Sequence, residues 1–273
     1  MNPLEALILG IVQGLTEWLP VSSSGHLVII QETMGIQVSV FFDLLLHVST
    51  AIVVLLFLRK EVLEIFRSLG RSIRDWRSGA KLSEAIRKED GAYIAWLIVI
   101  GSVPTAIIGF AFKRWFESLF GSLLAVGIAL VITGIVLSLS YLKREGGVKR
   151  LDTARALAIG TAQGIAIIPG ISRSGTTITT GLLLGAERVK VAKYSFLLGV
   201  PAILGAAAVD FITVGPGAIQ VEPLNILIAL AAAAVSAFLA LKLLVIIISR
   251  ARLHVFAPYC IVAGVIVIAF WLF

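Results

Sequence analysis

Six apolar runs, at 41–58, 92–112, 120–142, 193–214, 223–249 and 255–273, are each long enough to cross the hydrocarbon core of a bilayer. A crossing helix takes about 20 mainly apolar residues. Only 14% of the residues are charged, against roughly a quarter in a soluble domain, and the mean hydropathy is +1.02. The expectation is an all-α polytopic membrane protein, a single membrane domain over 1–273 with six transmembrane helices. A net charge of +7 does not point to nucleic acid, because the basic residues fall in the short breaks between apolar runs. The single cysteine, Cys260, has no internal disulfide partner. The opening Met-Asn-Pro-Leu-Glu has no basic n-region, so no cleavable signal peptide is expected.

Two further apolar stretches, near 3–35 and 153–187, are each interrupted by proline, serine and glycine. Irregular backbone at membrane depth is tolerated only inside protein or along a polar cavity. Each is therefore expected to be a re-entrant helix-loop-helix segment that returns to the side it entered from. The two interruptions also match one another at an offset of 150. Gln13, Gly14, Ser22, Ser24 and Gly25 correspond to Gln163, Gly164, Ser172, Ser174 and Gly175. Three spans follow each segment, which makes an internal duplication, with repeat 1 about 1–142 and repeat 2 about 153–273. An odd number of spans per repeat inverts the second relative to the first.

Charge fixes the expected orientation. The breaks 59–90, 143–155, 187–193 and 249–254 hold 19 of the 23 lysines and arginines, whereas 215–222 holds none. The positive-inside bias puts those four breaks in the cytoplasm and both termini outside. The two polar loops then enter from opposite sides and meet, as paired broken helices do in inverted-repeat membrane proteins. The basic segment 59–90 spaces Leu63, Phe66, Leu69 and Ile73 at helical intervals, which predicts an interfacial amphipathic helix.

The loops carry the chemistry. Arg173 in an apolar stretch costs at least about 2.5 kcal/mol to insert, so it needs a partner or a wet cavity. Glu17 on the other loop is the candidate ion-pair partner. A guanidinium also presents a planar fork to phosphate oxygens. Ser172, Ser174, Gly175, Thr176 and Thr177 add hydroxyls and helix-opening amides to that phosphate-binding set. Gln13 lies one turn before Glu17 on the same helix face, and the pair supplies oxygen ligands of the kind Mg²⁺ or Ca²⁺ takes. His26 follows the serine run and is a candidate base or nucleophile. Ser22, Ser23, Ser24, His26 and an activated water all remain open as the attacking group. Asp43, His47 and Asp210 either tune the pocket or sit at the interface, the interface being favoured, and Lys242 takes a snorkelling position near its helix end.

These motifs resemble the undecaprenyl-diphosphate phosphatases, also called BacA or UppP. Gln13-Gly-Leu-Thr-Glu17, running on through Pro-Val-Ser-Ser-Ser-Gly to His26, is similar to one family motif. Pro169-Gly-Ile-Ser-Arg-Ser-Gly-Thr-Thr177 is similar to a second, and Tyr194-Ser-Phe-Leu-Leu-Gly-Val-Pro201 to a further segment. The resemblance implies hydrolysis of undecaprenyl diphosphate to the monophosphate, with a divalent cation, in a pocket open to the outer face of the plasma membrane. It implies that Glu17, Ser23, His26 and Arg173 are catalytic. It places Ser172, Ser174 and Thr177 with Arg173 on the phosphate, and Glu17 with Gln13 on the metal. Gln13 stands where many members have glutamate. The implied partners are a polyprenyl diphosphate lipid and the bilayer; a homodimer is compatible with the sequence but not specified by it. A rival reading from the same repeat architecture is a transporter or polyprenyl-phosphate flippase, which also needs a phosphate clamp.

Overall fold

A computed structural model describes residues 1–142, 150–213 and 221–272. Lys143, Arg144 and Lys149 of one basic break, most of the stretch 215–222, and Phe273 of the last run lie outside the described residues. Among those described there are thirteen α-helices and no strand.

The element order follows the apolar pattern. Helices α1 (Pro3–Trp18) and α2 (Ser23–Met34) form the first broken segment, followed by α3 (Val40–Phe57). Then come α4 (Arg59–Arg77), α5 (Leu82–Lys88), α6 (Asp90–Ala111), α7 (Lys113–Phe120) and α8 (Leu123–Leu139). Helices α9 (Thr153–Ile165) and α10 (Arg173–Leu183) form the second broken segment. The chain ends with α11 (Arg188–Thr213), α12 (Pro223–Ser249) and α13 (Ala257–Leu272). Six elements are long and apolar enough to cross a membrane: Val40–Phe57, Asp90–Ala111, Leu123–Leu142, Arg188–Thr213, Pro223–Ser249 and Leu253–Leu272. They match the six apolar runs to within five residues at each end. Their outer faces carry apolar side chains such as Leu56, Ile107, Leu227 and Val262, all more than half exposed, as helices in lipid do.

Local chemistry starts and stops these helices. Asn2 and Glu5 form a reciprocal capping box at α1, with Pro3 at its first position. Ser39, Ser122 and Asp152 each cap a following helix by accepting a backbone N–H. α1 stops ahead of Pro20, which holds Leu19 in extended backbone at ψ 145°.

Association of the helices depends on small residues, because lipid tails offer no hydrophobic gain from burying one apolar helix on another. α1 lies along α12, and α9 lies along α6. The glycines at these contacts, on α1 and α9, correspond at the offset of 150. Gly10 and Gly14 of α1 press on Ala229, Ala233 and Ser236 of α12, while Gly160 and Gly164 of α9 press on Gly101 and Ile108 of α6. A Cβ at Gly160 would fall 1.9 Å from the Gly101 carbonyl oxygen, so no larger residue fits there.

The basic segment 59–90 forms α4 and α5. Ser68 and Ser72 face inward, with Ser72 donating to the Ala85 carbonyl at 2.9 Å. Leu63, Phe66, Ile73 and Trp76 remain on the outer face, giving the amphipathic helix expected there; Leu69 is half-buried. Hydrogen bonds from Arg71 hold the Glu64 carboxyl below the usual range, and one from Lys88 does the same for Asp75. Lys242 sits with its Nζ 4.5 Å from the Phe238 ring centroid.

Candidate functional site

The two broken segments meet. Gly25 abuts Gly170, Gly175 abuts Pro20, and Ser174 Oγ donates to the Leu19 carbonyl at 3.3 Å. Each return helix is capped in the same way. Ser22 Oγ accepts from the Gly25 amide at 3.3 Å, and Ser172 Oγ accepts from the Gly175 amide at 3.1 Å. Ser22 has φ of 72°, a left-handed conformation that costs a serine about 1–3 kcal/mol. This strained turn sits directly before Ser23 and sets where that residue's helix begins.

Glu17 is the hub. It lies in the last turn of α1, buried, and its Oε1 accepts from Arg173 Nη2 across the junction. Its Oε2 accepts from Ser23 Oγ at 2.5 Å and from Gln13 Nε2 at 2.9 Å, and lies 3.3 Å from His47 Nε2. The guanidinium of Arg173 rests over the Trp18 ring, 4.8 Å from its centroid, and Trp18 in turn meets Phe196 edge-on. The other side of Arg173 is accommodated by a missing side chain. A Cβ on Gly199 would fall 1.4 Å from Nη1.

Glu17, Ser22, Ser23, Ser24, Ser172 and Arg173 line a cavity of about 520 Å³. Much of its remaining wall is apolar, from Ala106 and Phe110 of α6 and Ala202, Ile203, Ala206 and Val209 of α11. A serine hydroxyl hydrogen-bonded to a buried carboxylate has the geometry a nucleophile and its general base require. The adjoining guanidinium has further N–H donors for a phosphate. The polar side of the cavity thus suits a phosphate ester or anhydride, and the apolar side suits a hydrocarbon chain.

The remaining expected site residues fall elsewhere. His26 does not line the cavity. Its Nδ1 lies 2.7 Å from the Ser22 carbonyl, its Nε2 lies 2.7 Å from Tyr259 Oη, and the two rings stack 5.7 Å apart. Ser174 and Thr177 are buried behind the wall. Thr177 Oγ1 bonds to the Arg173 carbonyl at 2.8 Å and to Ser195 Oγ, so it braces the first turn of α10. Gln13 is fully buried. It turns its amide N–H toward Glu17 and leaves Oε1 unpartnered and away from the cavity.

That arrangement bears on a divalent cation. A carboxylate has about four lone-pair sites, and Glu17 already faces Arg173, Ser23, Gln13 and His47. Of the two expected ligands Glu17 lines the cavity, and its Oε1, which accepts from Arg173, would be the oxygen offered to Mg²⁺ or Ca²⁺. Among the described residues no three His, Cys, Asp or Glu side chains gather as a metal site.

Four further residues contribute to the wall. Asp210 and His47, favoured above for the interface, line the cavity together with Lys113 and Gln163. Lys113 Nζ lies 3.9 Å from Asp210 Oδ1, and Gln163 Nε2 donates to Thr105 Oγ1 at 3.3 Å. Asp43 stands behind His47 and accepts from Gln31 at 2.8 Å. An ionisable residue inside an apolar run is itself a functional signal, and His47 carries it; closeness to the helix end masked it.

The chain matches the family model for bacitracin resistance protein BacA over residues 6–266. It is 43% identical to an undecaprenyl-diphosphatase of Desulfosudis oleivorans over 97% of both chains. An undecaprenyl-diphosphatase of Korarchaeum cryptofilum is 41% identical, covering 98% of this chain and 99% of its own length. One from Bacteroides thetaiotaomicron is 39% identical over 98% of each.

Proposed function

That this chain belongs to the bacitracin resistance protein BacA family is the premise from which we propose what it does. It is a multi-pass membrane phosphatase that hydrolyses undecaprenyl diphosphate to the monophosphate and inorganic phosphate, recycling the carrier lipid of cell-wall glycan synthesis. The observation that carries the mechanism is the Ser23 hydroxyl 2.5 Å from the buried Glu17 carboxylate, with Arg173 on the other carboxylate oxygen.

In this reading Arg173 and Ser172 receive the terminal phosphate, with the amides opening α10 behind them. Glu17 takes the proton of Ser23 as the hydroxyl oxygen bonds to the terminal phosphorus. The bond from that phosphorus to the bridging anhydride oxygen breaks, and undecaprenyl monophosphate leaves with the bond's electron pair and the proton that Glu17 took from Ser23, which returns Glu17 to the carboxylate. Water then attacks the phosphoserine and gives its proton to Glu17, the serine oxygen leaves and is reprotonated, and phosphate departs. Ser23 is assigned over His26 because both His26 ring nitrogens are engaged away from the cavity. Glu17 would be the residue to hold a bound Mg²⁺ or Ca²⁺, which would supply counter-charge to the leaving monophosphate. Release of phosphate from undecaprenyl diphosphate by purified protein in detergent is the test. Absence of release at every prenyl length and cation tried, together with vesicle uptake of polyprenyl phosphate, would establish the flippase instead.

The two broken segments are re-entrant and belong to inverted repeats, 1–142 and 153–273. Supporting this are the matched serine caps and the matched interface glycines of α1 and α9 at an offset of 150. Both termini lie outside the plasma membrane, and the pocket opens outward beside Lys113 and Asp210. Accordingly, Lys113→Cys is expected to react with an impermeant maleimide added outside intact cells, and Arg250→Cys only after permeabilisation. Buried Cys260 gives little background. The reverse pattern overturns the orientation.

The apolar wall between α6 and α11 takes the first isoprene units. A Cβ on Gly205 meets nothing within 4 Å, so Gly205→Leu is expected to fold and to fill that space. The ratio of kcat/KM for the C55 substrate to that for a C5 diphosphate should fall roughly tenfold, the order that a few methylenes in a pocket command. An unchanged ratio would place the chain elsewhere.

A further inference from the structure

The ion pair at the centre of the pocket raises a question of competition. A guanidinium beside a carboxylate favours the fork-to-fork arrangement in which two N–H groups take both oxygens. That arrangement would pull Glu17 Oε2 from Ser23 and use up donors that Arg173 needs for phosphate. Here the pair is single-pronged, Nη2 to Oε1. Oε2 accepts from Gln13 Nε2 one turn back on α1 at 2.9 Å, and His47 Nε2 on α3 lies 3.3 Å from it, an ion-pair contact when the ring is doubly protonated. The His47 ring is anchored in turn. Its Nδ1 lies 2.8 Å from the carbonyl of Asp43, whose carboxylate accepts from Gln31 of α2 at 2.8 Å.

We propose that His47 is a positioning residue of the phosphatase, which holds Glu17 Oε2 on Ser23 and keeps Arg173 from closing over both carboxylate oxygens. The inference rests on Glu17 and Ser23 being the reacting pair. His47 acts through Glu17: with Nδ1–H donating to the Asp43 carbonyl, Nε2 carries an N–H toward Oε2 only in the imidazolium form, and that N–H at the right reach is what it must supply. Glutamine supplies that N–H; leucine fills similar space without it; asparagine is polar but too short.

The experiment measures kcat/KM for undecaprenyl diphosphate and the melting temperature of wild type, His47→Gln, His47→Leu and His47→Asn. Expected are retention within about fivefold in His47→Gln, and losses of fiftyfold or more in His47→Leu and His47→Asn at melting temperatures close to wild type. If His47→Leu does not fold, His47→Asn carries the comparison. Wild-type rates in the leucine or asparagine variant overturn the proposal. Equal losses in all three variants also overturn it, since a restored donor would then not matter. A wild-type protein that releases no phosphate at all would instead count against the phosphatase reading.

Discussion

Ser23→Ala is expected to lower phosphate release by about 10⁴-fold or more, the order that follows removal of the nucleophile from a covalent hydrolase. The fold should survive. Ser23 opens α2 but does not cap it; the capping oxygen is that of Ser22. Loss of Ser23 removes the hydroxyl bonded to Glu17 Oε2 and leaves Arg173 and Gln13 in place, so the carboxylate is not stranded. The variant should therefore still bind lipid diphosphate, with KM or Kd within a few-fold of wild type. A Ser23→Ala protein that turns over within tenfold of wild type would move the attack to a water held by Glu17.

Arg173→Ala is expected to cost about 10³-fold or more in kcat/KM, the scale on which a guanidinium stabilises phosphoryl transfer. It should also destabilise the protein, because Glu17 is then left buried without its cation, a defect of about 3–5 kcal/mol. The two effects are separable at Gly199. Alanine is a better helix former than glycine, so Gly199→Ala leaves α11 intact. Its Cβ would nonetheless occupy space 1.4 Å from Arg173 Nη1 and displace the guanidinium. Gly199→Ala should lose most of its activity with a smaller fall in melting temperature than Arg173→Ala, because the displaced cation stays near Glu17. Full activity in that variant would mean that Arg173 works from another position.

The spans were legible because bilayer thickness dictates their length and lipid dictates their composition. The broken segments were legible for the opposite reason, since proline and glycine runs at that depth require protein around them. Glu17 and Arg173 could be paired from sequence because a buried charge must find its counterpart and few were available. His26 was different. Its partner Tyr259 lies 233 residues away on α13, and no spacing along the chain shows that the ring turns toward it. The same holds for His47, whose approach to Glu17 depends on how α3 packs on α1. Thr177 reads as a phosphate ligand by its place in a hydroxyl-rich motif. Only the packing of α10 on α11 shows its hydroxyl committed to Ser195.

The most direct measurement is acid quenching of the enzyme during turnover of undecaprenyl diphosphate, followed by mass spectrometry of the peptide containing residues 22–26. The account predicts a phosphoryl group on Ser23, formed within a single turnover and absent from Ser23→Ala and Glu17→Gln. Phosphate release in the first turnover with no phosphoryl group on Ser23 at any quench time would contradict it.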